Sequence, residues 1–330
     1  MKLDAKNRKR YADRFRYFAS NMAMYFLPDR MADIPWRRFH SRLSDTALED
    51  ITRRASYYVK LPGGAEVPEG ESFLTGKFKF PFFARHHHSS YFFDIYPHLR
   101  MMPDGMRFLY MAEDVDWELP APTFVKSRPV TAGPSMSAIC RMDSIRHFRF
   151  AEDEVPYEKK KDIVVSRNEV RDQPWRSRLL EMYCGDPRFD FGQINSDVGR
   201  PEWVRPFMSI DEQLGHKFIM CIRGNDVATN LKWVMSSNSI AVMPRPDVES
   251  WYMEGLLKGG VHYIEVKPDY SDLPERIDHY LSHPDEAEEI IANAHRWVDR
   301  FRDTRIEQQV MREAVCRYFV QTGQTDPEKP

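Results

Sequence analysis

The 330-residue sequence has few cysteines and no long apolar run, and both absences exclude classes of protein. Its four cysteines are Cys140, Cys184, Cys221 and Cys316, with no CxxC pair and no metal-type spacing to histidine. We therefore expect reduced, mostly buried thiols, as in a cytoplasmic protein. No segment approaches the roughly 20 apolar residues of a membrane-spanning helix. The basic N-terminus also lacks the apolar core of a signal peptide.

The sequence also lacks a large net charge, internal repeats and low-complexity tracts. Lys and Arg number 48 and Asp and Glu 50, a formal net charge of −2, so nothing indicates a nucleic-acid partner. Hydrophobic residues make up 42% and aromatic residues 13%, which is enough to form buried cores. The length corresponds to about two domains of roughly 100–200 residues each.

The first 55 or so residues are predicted to be helical, with an excess of positive charge and interleaved aromatic residues. The aromatic residues are Tyr11, Phe15, Tyr17, Phe18, Tyr25 and Phe26. One interpretation is a peripheral contact with an anionic surface such as the inner membrane. The other, favoured by the acidic residues among the basic ones, is an ordinary amphipathic helix that packs on its own domain.

Strands alternate with helices through much of the chain. Short apolar runs predict strands at 107–111, 163–165, 218–222, 240–243 and 263–266. Helices are predicted at 90–96 (ended by Pro97), 175–183, 227–235, 249–257 and 271–321, the last broken near Pro284. The prolines between 120 and 134 indicate irregular structure, and the charged segment 151–162 is typical of an interdomain linker. The alternation predicts an α/β protein with doubly wound parallel sheets.

The segment from Arg223 to Pro246 is the best candidate for a ligand-binding loop. Gly224 permits a tight turn directly after a predicted strand, and short polar residues such as Asn225 suit the start of a helix. A helix N-terminus beside the carboxyl end of a strand favours a diphosphate. Neither GxGxxG nor GxxxxGK[ST] is present, so a plain strand–turn–helix remains the alternative.

Several segments together resemble glycosyltransferase family 90. They are YFFDIY, FVKSRP, SRN with RSRLLEMY, GNDVATNLKWVMSSNSIAVMP, ESWYMEGLL and VHYIEVKPDYSDLPERI, and the resemblance covers roughly residues 85–325. The family includes bacterial lipopolysaccharide-type enzymes, fungal capsule xylosyltransferases and animal protein O-glucosyltransferases. The resemblance implies a GT-B fold, with two Rossmann-like doubly wound domains facing a cleft. It also implies an inverting transfer from a UDP-sugar without a metal or another cofactor.

The resemblance also implies a domain organisation and an acceptor. We expect an acceptor-side domain at 1–155, joined by a C-terminal helix at about 296–325, and a nucleotide-sugar-binding domain at 156–295. The acceptor is expected to be a saccharide or lipid-linked glycan of lipopolysaccharide, capsule or another surface glycan. The enzyme would then act in the cytoplasm, at the inner face of the inner membrane.

An inverting transfer needs a base that takes the proton of the acceptor hydroxyl. The position that matches the family base is Asp114, on the loop after a strand of the first domain. Asp116, two residues later, is the alternative base. The alternative is that Glu113, Asp114 and Asp116 form a solvated loop without a catalytic role.

Arginines are expected to bind the diphosphate, because a guanidinium makes two parallel contacts with phosphate oxygens. Arg167 matches the family arginine, and Arg176 or Arg178 would supply a second contact. Asn168 replaces the usual glycine, a change that is tolerated because asparagine adopts positive φ more readily than most residues.

The remaining donor contacts are expected from the loop and the segments that follow it. The donor would be approached by backbone groups of Gly224, Asn225, Asp226, Val227 and Ala228. Nucleotide or sugar would be contacted by Lys232, Ser237 and Ser239. By analogy with the fold, ribose hydroxyls would be bound by Glu249 and Glu254. The three consecutive histidines at 86–88 are predicted to lie in a surface loop or a substrate groove rather than to form a metal site. Two residues depart from the family pattern: Asn168 replaces glycine, and Asn230 stands where animal members carry arginine. These departures leave open the alternative of a non-catalytic nucleotide-sugar-binding or scaffold protein.

Overall fold

The computed structural model describes residues 5–80 and 89–326, which form two compact units. The first unit contains the described residues up to Phe148 and those from Asp303 onward. The second unit is Arg149–Arg302. Within the described residues, no helix is both long enough and apolar enough to span a bilayer.

The first unit is mainly helical around a small sheet. Its helices are α1 (Ala5–Phe26), α2 (Asp29–His40), α3 (Asp45–Tyr58), α4 (Ser89–Leu99), α5 (Ser144–His147) and α11 (Thr304–Gln321). Its strands are β1 (Phe73–Leu74), β2 (Arg107–Tyr110), β3 (Thr123–Val125), β4 (Ser127–Pro129) and β5 (Ser137–Ile139). The sheet order is β1-β2-β3-β5, in which β1 is antiparallel to β2 and the other pairs are parallel. The carboxyl ends of β2, β3 and β5 therefore lie at one edge.

The second unit is a parallel sheet covered by helices. Its strands are β6 (Lys161–Asn168), β7 (Phe189–Gln193), β8 (His216–Met220), β9 (Ile240–Met243), β10 (Val248–Ser250) and β11 (Ile264–Glu265). Its helices are α6 (Pro174–Tyr183), α7 (Ile210–Gln213), α8 (Leu231–Met235), α9 (Leu273–Ser282) and α10 (Pro284–Asp299). The order β11-β9-β8-β6-β7 is parallel throughout and reverses direction between β6 and β8, as in a doubly wound fold.

Burial on both faces explains why the central strands are continuous apolar runs. All four residues of β9 are buried, and so are Phe218, Ile219 and Met220 of β8. The mixed α/β architecture with parallel sheets is confirmed, as are the strands predicted at 107–111, 163–165, 218–222, 240–243 and 263–266, with shifted ends at four of them. The GT-B arrangement of two domains stays a prediction.

Five predicted segments differ from the structure, some in the kind of element and others only in its bounds. Residues 249–257 are not a helix: β10 occupies the first positions, and a 3₁₀ turn follows at Glu254–Leu256. The helix predicted from 227 begins only at Leu231, and the irregular region at 120–134 contains β3 and β4. Pro97 lies inside α4 instead of ending it. The helix expected at about 296–325 is interrupted at 300–303, where the Asp303 side chain accepts from the Arg305 N–H at 2.9 Å and caps α11.

Three charged side chains are buried together in the first unit. Oε1 of Glu307, on α11, lies 2.6 Å from Nη2 of Arg54, on α3, and both side chains are at most 1% exposed. Nε of Arg141, which follows β5, lies 3.6 Å from the second Glu307 oxygen. Burial raises the pKa of the Glu307 carboxyl, and the two guanidiniums oppose that rise. The cluster therefore links α11 to α3 and to the end of β5.

Replacing Glu307 with glutamine is expected to lower the free energy of unfolding by about 3–5 kcal/mol, because two buried guanidiniums lose the buried carboxylate that they share, although Arg54 also lies 3.9 Å from Asp50. The measurement is urea unfolding of the full chain. Glu313→Gln, at a partly exposed position on the same helix, is the matched control and should change stability by less than about 0.5 kcal/mol. Equal stability of the two variants would contradict the structural role of the cluster.

Candidate functional site

A cavity of about 250 Å³ lies at the carboxyl edge of the parallel sheet in the second unit. Its lining comes from the segments that follow three neighbouring strands. Residues 221–223 follow β8, residues 243–248 end and follow β9, and Pro268 and Tyr270 follow β11. Ligands of open α/β sheets bind outside the carboxyl ends of the strands, so the position of this cavity is that of a binding site.

Arg176 of α6 fixes the turn at one side of the cavity. Its Nε donates to the Arg223 carbonyl at 3.1 Å and its Nη1 to the Glu169 carbonyl at 2.7 Å. These bonds join the loops that follow β6 and β8, the two strands at which the sheet reverses direction. A Cβ at Gly224 would lie 3.3 Å from Nη2 of Arg176, so glycine allows the close approach. Burial lowers the pKa of Arg176, which nevertheless stays charged.

Two further arginines line the cavity, and the sequence interpretation missed both. The guanidinium of Arg223 lies 4.3 Å from the ring centroid of Trp175, and its Nε lies 3.3 Å from Oδ1 of Asp247. Arg245 follows β9 and is exposed. The cavity combines apolar walls with two arginines and three carboxylates, of which Asp247 pairs with Arg223 and Glu254 with Lys232. Apolar walls beside arginines fit a nucleoside bearing phosphate.

The segment predicted to approach the donor lies partly at this cavity. Asp226, Val227 and Ala228 are buried and line it. Gly224 and Asn225 precede them in the turn, where Oδ1 of Asn225 accepts a hydrogen bond from Gln173 Nε2 at 2.7 Å. Because α8 begins only at Leu231, backbone groups of a turn, rather than a helix N-terminus, face this region.

The structure places Lys232 and Glu254 in a buried ion pair. Nζ of Lys232 lies 2.6 Å from Oε1 of Glu254, and the side chains are 0% and 2% exposed. The Glu254 carboxylate also accepts from the backbone N–H and the hydroxyl of Ser250. Glu254 lines the cavity, whereas Lys232 does not. The pair holds the loop after β10, and Glu249 within β10 is fully buried.

Ser237 and Ser239 do not lie at the cavity. Both precede β9, so they are at the amino edge of the parallel sheet, opposite the cavity. Ser237 donates to the Val234 carbonyl at 2.7 Å and Ser239 to the His216 carbonyl at 2.7 Å. Their hydroxyls stabilise the turn into β9, and the geometry does not support donor contacts.

The arginines expected to bind diphosphate differ in their placement. The Arg167 side chain is 6% exposed; Nη2 lies 2.7 Å from Oδ1 of Asp190, and Nη1 donates to the Asp190 carbonyl. It therefore crosses to β7, whereas Arg176 bonds to the carbonyl of Arg223, a residue that lines the cavity. Arg178 is exposed on α6. Asn168 lies within β6 without a positive φ, so the tolerance expected of asparagine is not used.

In the first unit, Asp114 lies at the carboxyl edge of the sheet, four residues after β2. Its Oδ1 contacts Nζ of Lys126, which follows β3 and is 1% exposed, while the Asp114 side chain is 29% exposed. Nζ of Lys126 also lies 5.7 Å from the ring centroid of Tyr91. Burial raises the pKa of the Tyr91 phenol to about 12, and the ammonium opposes that rise. The Asp114 carboxylate is held from one side and reaches solvent on the other.

The alternative base, Asp116, and the nearby carboxylate of Asp94 differ from Asp114 in their surroundings. Asp116 is exposed. Asp94 of α4 accepts from the Ser144 N–H at 2.8 Å and from the Tyr17 hydroxyl at 2.8 Å. Burial raises the pKa of Asp94 to about 7, although these hydrogen bonds act to lower it. Asp94 holds the start of α5, whereas Asp114 combines partial exposure with a fixed orientation.

One group within the described residues has the spacing of a metal site. His279, His283 and Glu286 are all exposed at the junction of α9 and α10 and do not line the cavity. The histidine triplet at 86–88 lies outside the described residues, and the expectation of a metal-independent reaction stays a prediction.

Comparison with known proteins places the chain in a family. Residues 121–322 match the model of glycosyl transferase family 90. The chain is 39% identical over 251 residues to the O-glucosyltransferase LpsA of Dichelobacter nodosus, an alignment that covers 76% of this chain and 77% of LpsA. It is 26% identical over 227 residues to the uncharacterized protein 027R of Frog virus 3 (isolate Goorha), covering 63% of this chain and 22% of 027R.

The family match includes every residue that lines the cavity in the second unit, and Lys126 as well, whereas Asp114 lies just upstream of it. It covers more than half of the chain and contains both the parallel sheet and α11. The chain belongs to glycosyl transferase family 90 and is a glycosyltransferase.

Proposed function

We propose that this glycosyltransferase transfers a sugar from a UDP-sugar to a saccharide hydroxyl with inversion, and that the cavity at the carboxyl edge of the second unit binds the donor nucleotide. The observation that carries the proposal is the convergence of the segments after β8, β9 and β11 on one cavity. Apolar side chains such as Val227, Leu231 and Met243 suit a base and ribose. Arg223 and Arg245 suit the diphosphate.

The proposed chemistry is a single displacement. The acceptor oxygen forms a bond with the anomeric carbon while the bond from that carbon to the diphosphate oxygen breaks, and UDP leaves with the bonding electrons. The acceptor proton passes to the free oxygen of Asp114, with Lys126 holding the other oxygen in place. Arginine side chains, which stay charged, take up the negative charge of the departing diphosphate, so the proposal needs no metal ion.

The name of the bacterial relative guides the choice of donor and acceptor. LpsA is called an O-glucosyltransferase, so UDP-glucose is the first donor to test and an oxygen nucleophile the expected acceptor. We further propose that the acceptor is a saccharide or lipid-linked glycan of lipopolysaccharide, capsule or another surface glycan, modified in the cytoplasm.

A second candidate is a binding or scaffold protein without turnover. It is favoured by Arg167, whose guanidinium bonds to the protein itself instead of facing the cavity. Asp114, held by Lys126 and yet accessible, favours the enzyme.

Arg245→Gln is expected to raise the dissociation constant for UDP about 10-fold, because one phosphate contact is lost while the exposed side chain supports little else. Isothermal titration of UDP measures the effect. Arg188→Gln removes an exposed arginine that does not line the cavity, so it should bind UDP like the wild type. Equal affinities of the two variants would place the diphosphate elsewhere.

UDP at about 100 times its dissociation constant is expected to stabilise the protein by roughly 2.7 kcal/mol, seen as a rise in melting temperature. The rise should persist in EDTA, because arginines rather than a metal ion neutralise the diphosphate. The same series with UDP-glucose, UDP-galactose, UDP-xylose and UDP-glucuronate identifies the donor. Loss of the shift in EDTA would disprove metal independence.

Asp114→Asn is expected to lower kcat by about 100-fold or more, because the amide cannot take the acceptor proton. Donor binding, measured by UDP titration, should stay unchanged. Asp116→Asn is the matched control and should retain the wild-type rate. If Asp116→Asn is the inactive variant, Asp116 is the base. If wild-type protein binds UDP but turns over no donor with any acceptor glycan tested, the scaffold candidate is favoured.

A further inference from the structure

The first unit contains a cavity of about 350 Å³ that the proposed transfer does not use. It lies between α1, α2, α4 and the first turns of α11. Its walls are mostly apolar and aromatic, formed by Met24, Tyr25, Trp36, Phe39, Phe93 and Tyr96 among others. A cavity of this size and lining accommodates hydrocarbon.

The polar residues in the wall are three arginines, Arg100, Arg305 and Arg312, and the uncharged Asn21, His98, Gln308 and Gln309. Burial lowers the pKa of His98, which lines the cavity, to about 3, so its imidazole is neutral at physiological pH. The indole N–H of Trp36 is buried and finds no acceptor within the part of the chain that the structure describes. Pro35 in α2 and Pro97 in α4 also line the cavity, and a proline inside a helix crowds the preceding turn and disturbs regular packing.

Two arginines of α11 bring positive charge to this largely apolar cavity. The Arg312 guanidinium lies 3.5 Å from the ring centroid of Trp36 and donates to Asp33 at 2.7 Å. The Arg305 guanidinium lies 4.9 Å from the ring centroid of Phe39 and pairs with Asp303 at 3.0 Å, and its side chain is 69% exposed. The combination suits an amphiphile that has an apolar chain and an anionic head.

The helices beside the cavity expose apolar side chains and carry an excess of positive charge. Phe15 is 76% exposed, Phe26 68%, Met31 55% and Ile34 45%. Residues 1–40 contain ten Lys and Arg against four Asp and Glu, a net charge of +6. The other 290 residues contain 38 against 46, a net charge of −8. A basic segment with exposed apolar residues lies along the surface of an anionic membrane.

We propose that this cavity binds an acyl chain of an anionic membrane lipid while the basic α1–α2 segment lies on the membrane surface. A single inserted acyl chain binds a protein to a bilayer only weakly, and salt weakens the attraction of a basic surface to an anionic membrane. The two interactions together hold a protein at the membrane. The site lies in the first unit and does not depend on the proposed UDP-sugar site. A failure of either proposal therefore leaves the other standing.

The test is co-sedimentation of the full chain with phosphatidylcholine vesicles that contain phosphatidylglycerol, and with phosphatidylcholine vesicles alone. We expect binding to the anionic vesicles. Ala32→Trp fills the cavity and should weaken this binding about 10-fold. Ala292→Trp, at an exposed position of α10, is the matched control and should bind like the wild type. Circular dichroism and melting temperature show whether each variant is folded.

A second measurement distinguishes chain insertion from surface attraction. Vesicles with brominated acyl chains should quench tryptophan fluorescence of the wild type, and Trp36→Phe should remove most of that quenching. If Ala32→Trp folds and binds anionic vesicles as well as the wild type does, and Trp36→Phe is quenched as strongly as the wild type, the charge acts alone and the cavity is not a lipid site. No binding to anionic vesicles, or a dimer that Ala32→Trp dissociates, would also overturn the proposal.

Discussion

Parallel pairing of the strands is the constraint on which the candidate donor site depends. Because β6, β8, β9 and β11 run in the same direction, the segments that leave them emerge at one edge of the sheet. The reversal of strand order between β6 and β8 separates the helices that follow these strands and leaves space at that edge. Arg176 bonds to carbonyls of both loops, so the space has a fixed boundary.

The charged residues divide into those that hold the fold and those that stay accessible. Lys232 with Glu254, and Arg54 with Glu307, are buried pairs of opposite charge. Removing one partner of such a pair leaves a buried charge, so these residues contribute to positioning loops and helices. Arg245 is exposed, and Asp114 keeps one side of its carboxylate accessible. Accessible charge beside a fixed framework is what binding and proton transfer require.

The sequence predicted β8 and β9 well, because burial on both faces demands continuous apolar runs. It missed the three-residue strands β3, β5 and β10, which are buried but too short to form such runs. It missed β7, whose Asp190 and Gly192 interrupt the apolar pattern of an edge strand. It also placed a helix at 249–257. There the chain turns at Met253, which has a positive φ of 59°, and Glu254 bonds back to Ser250.

The candidate site was predicted in part. The segment at 226–228 was found from its turn residues and its likeness to the family, and it lines the cavity. Lys126 was within a noted motif, but its contact with Asp114 follows from the adjacency of β2 and β3, which no local pattern reveals. The donor contacts expected of Arg167 and Ser237 stay predictions, and both side chains already bond within the protein. Residue type and spacing do not show that a side chain already bonds to a neighbouring strand or turn.

The most direct test of the donor site is hydrogen–deuterium exchange of the full chain with and without saturating UDP. We expect slower exchange in peptides that cover residues 221–231 and 243–248, because bound nucleotide would order the segments that line the cavity. Exchange in α9 and α10 should change little. If UDP binds while these peptides exchange unchanged, and protection appears elsewhere, the cavity at the carboxyl edge is not the donor site.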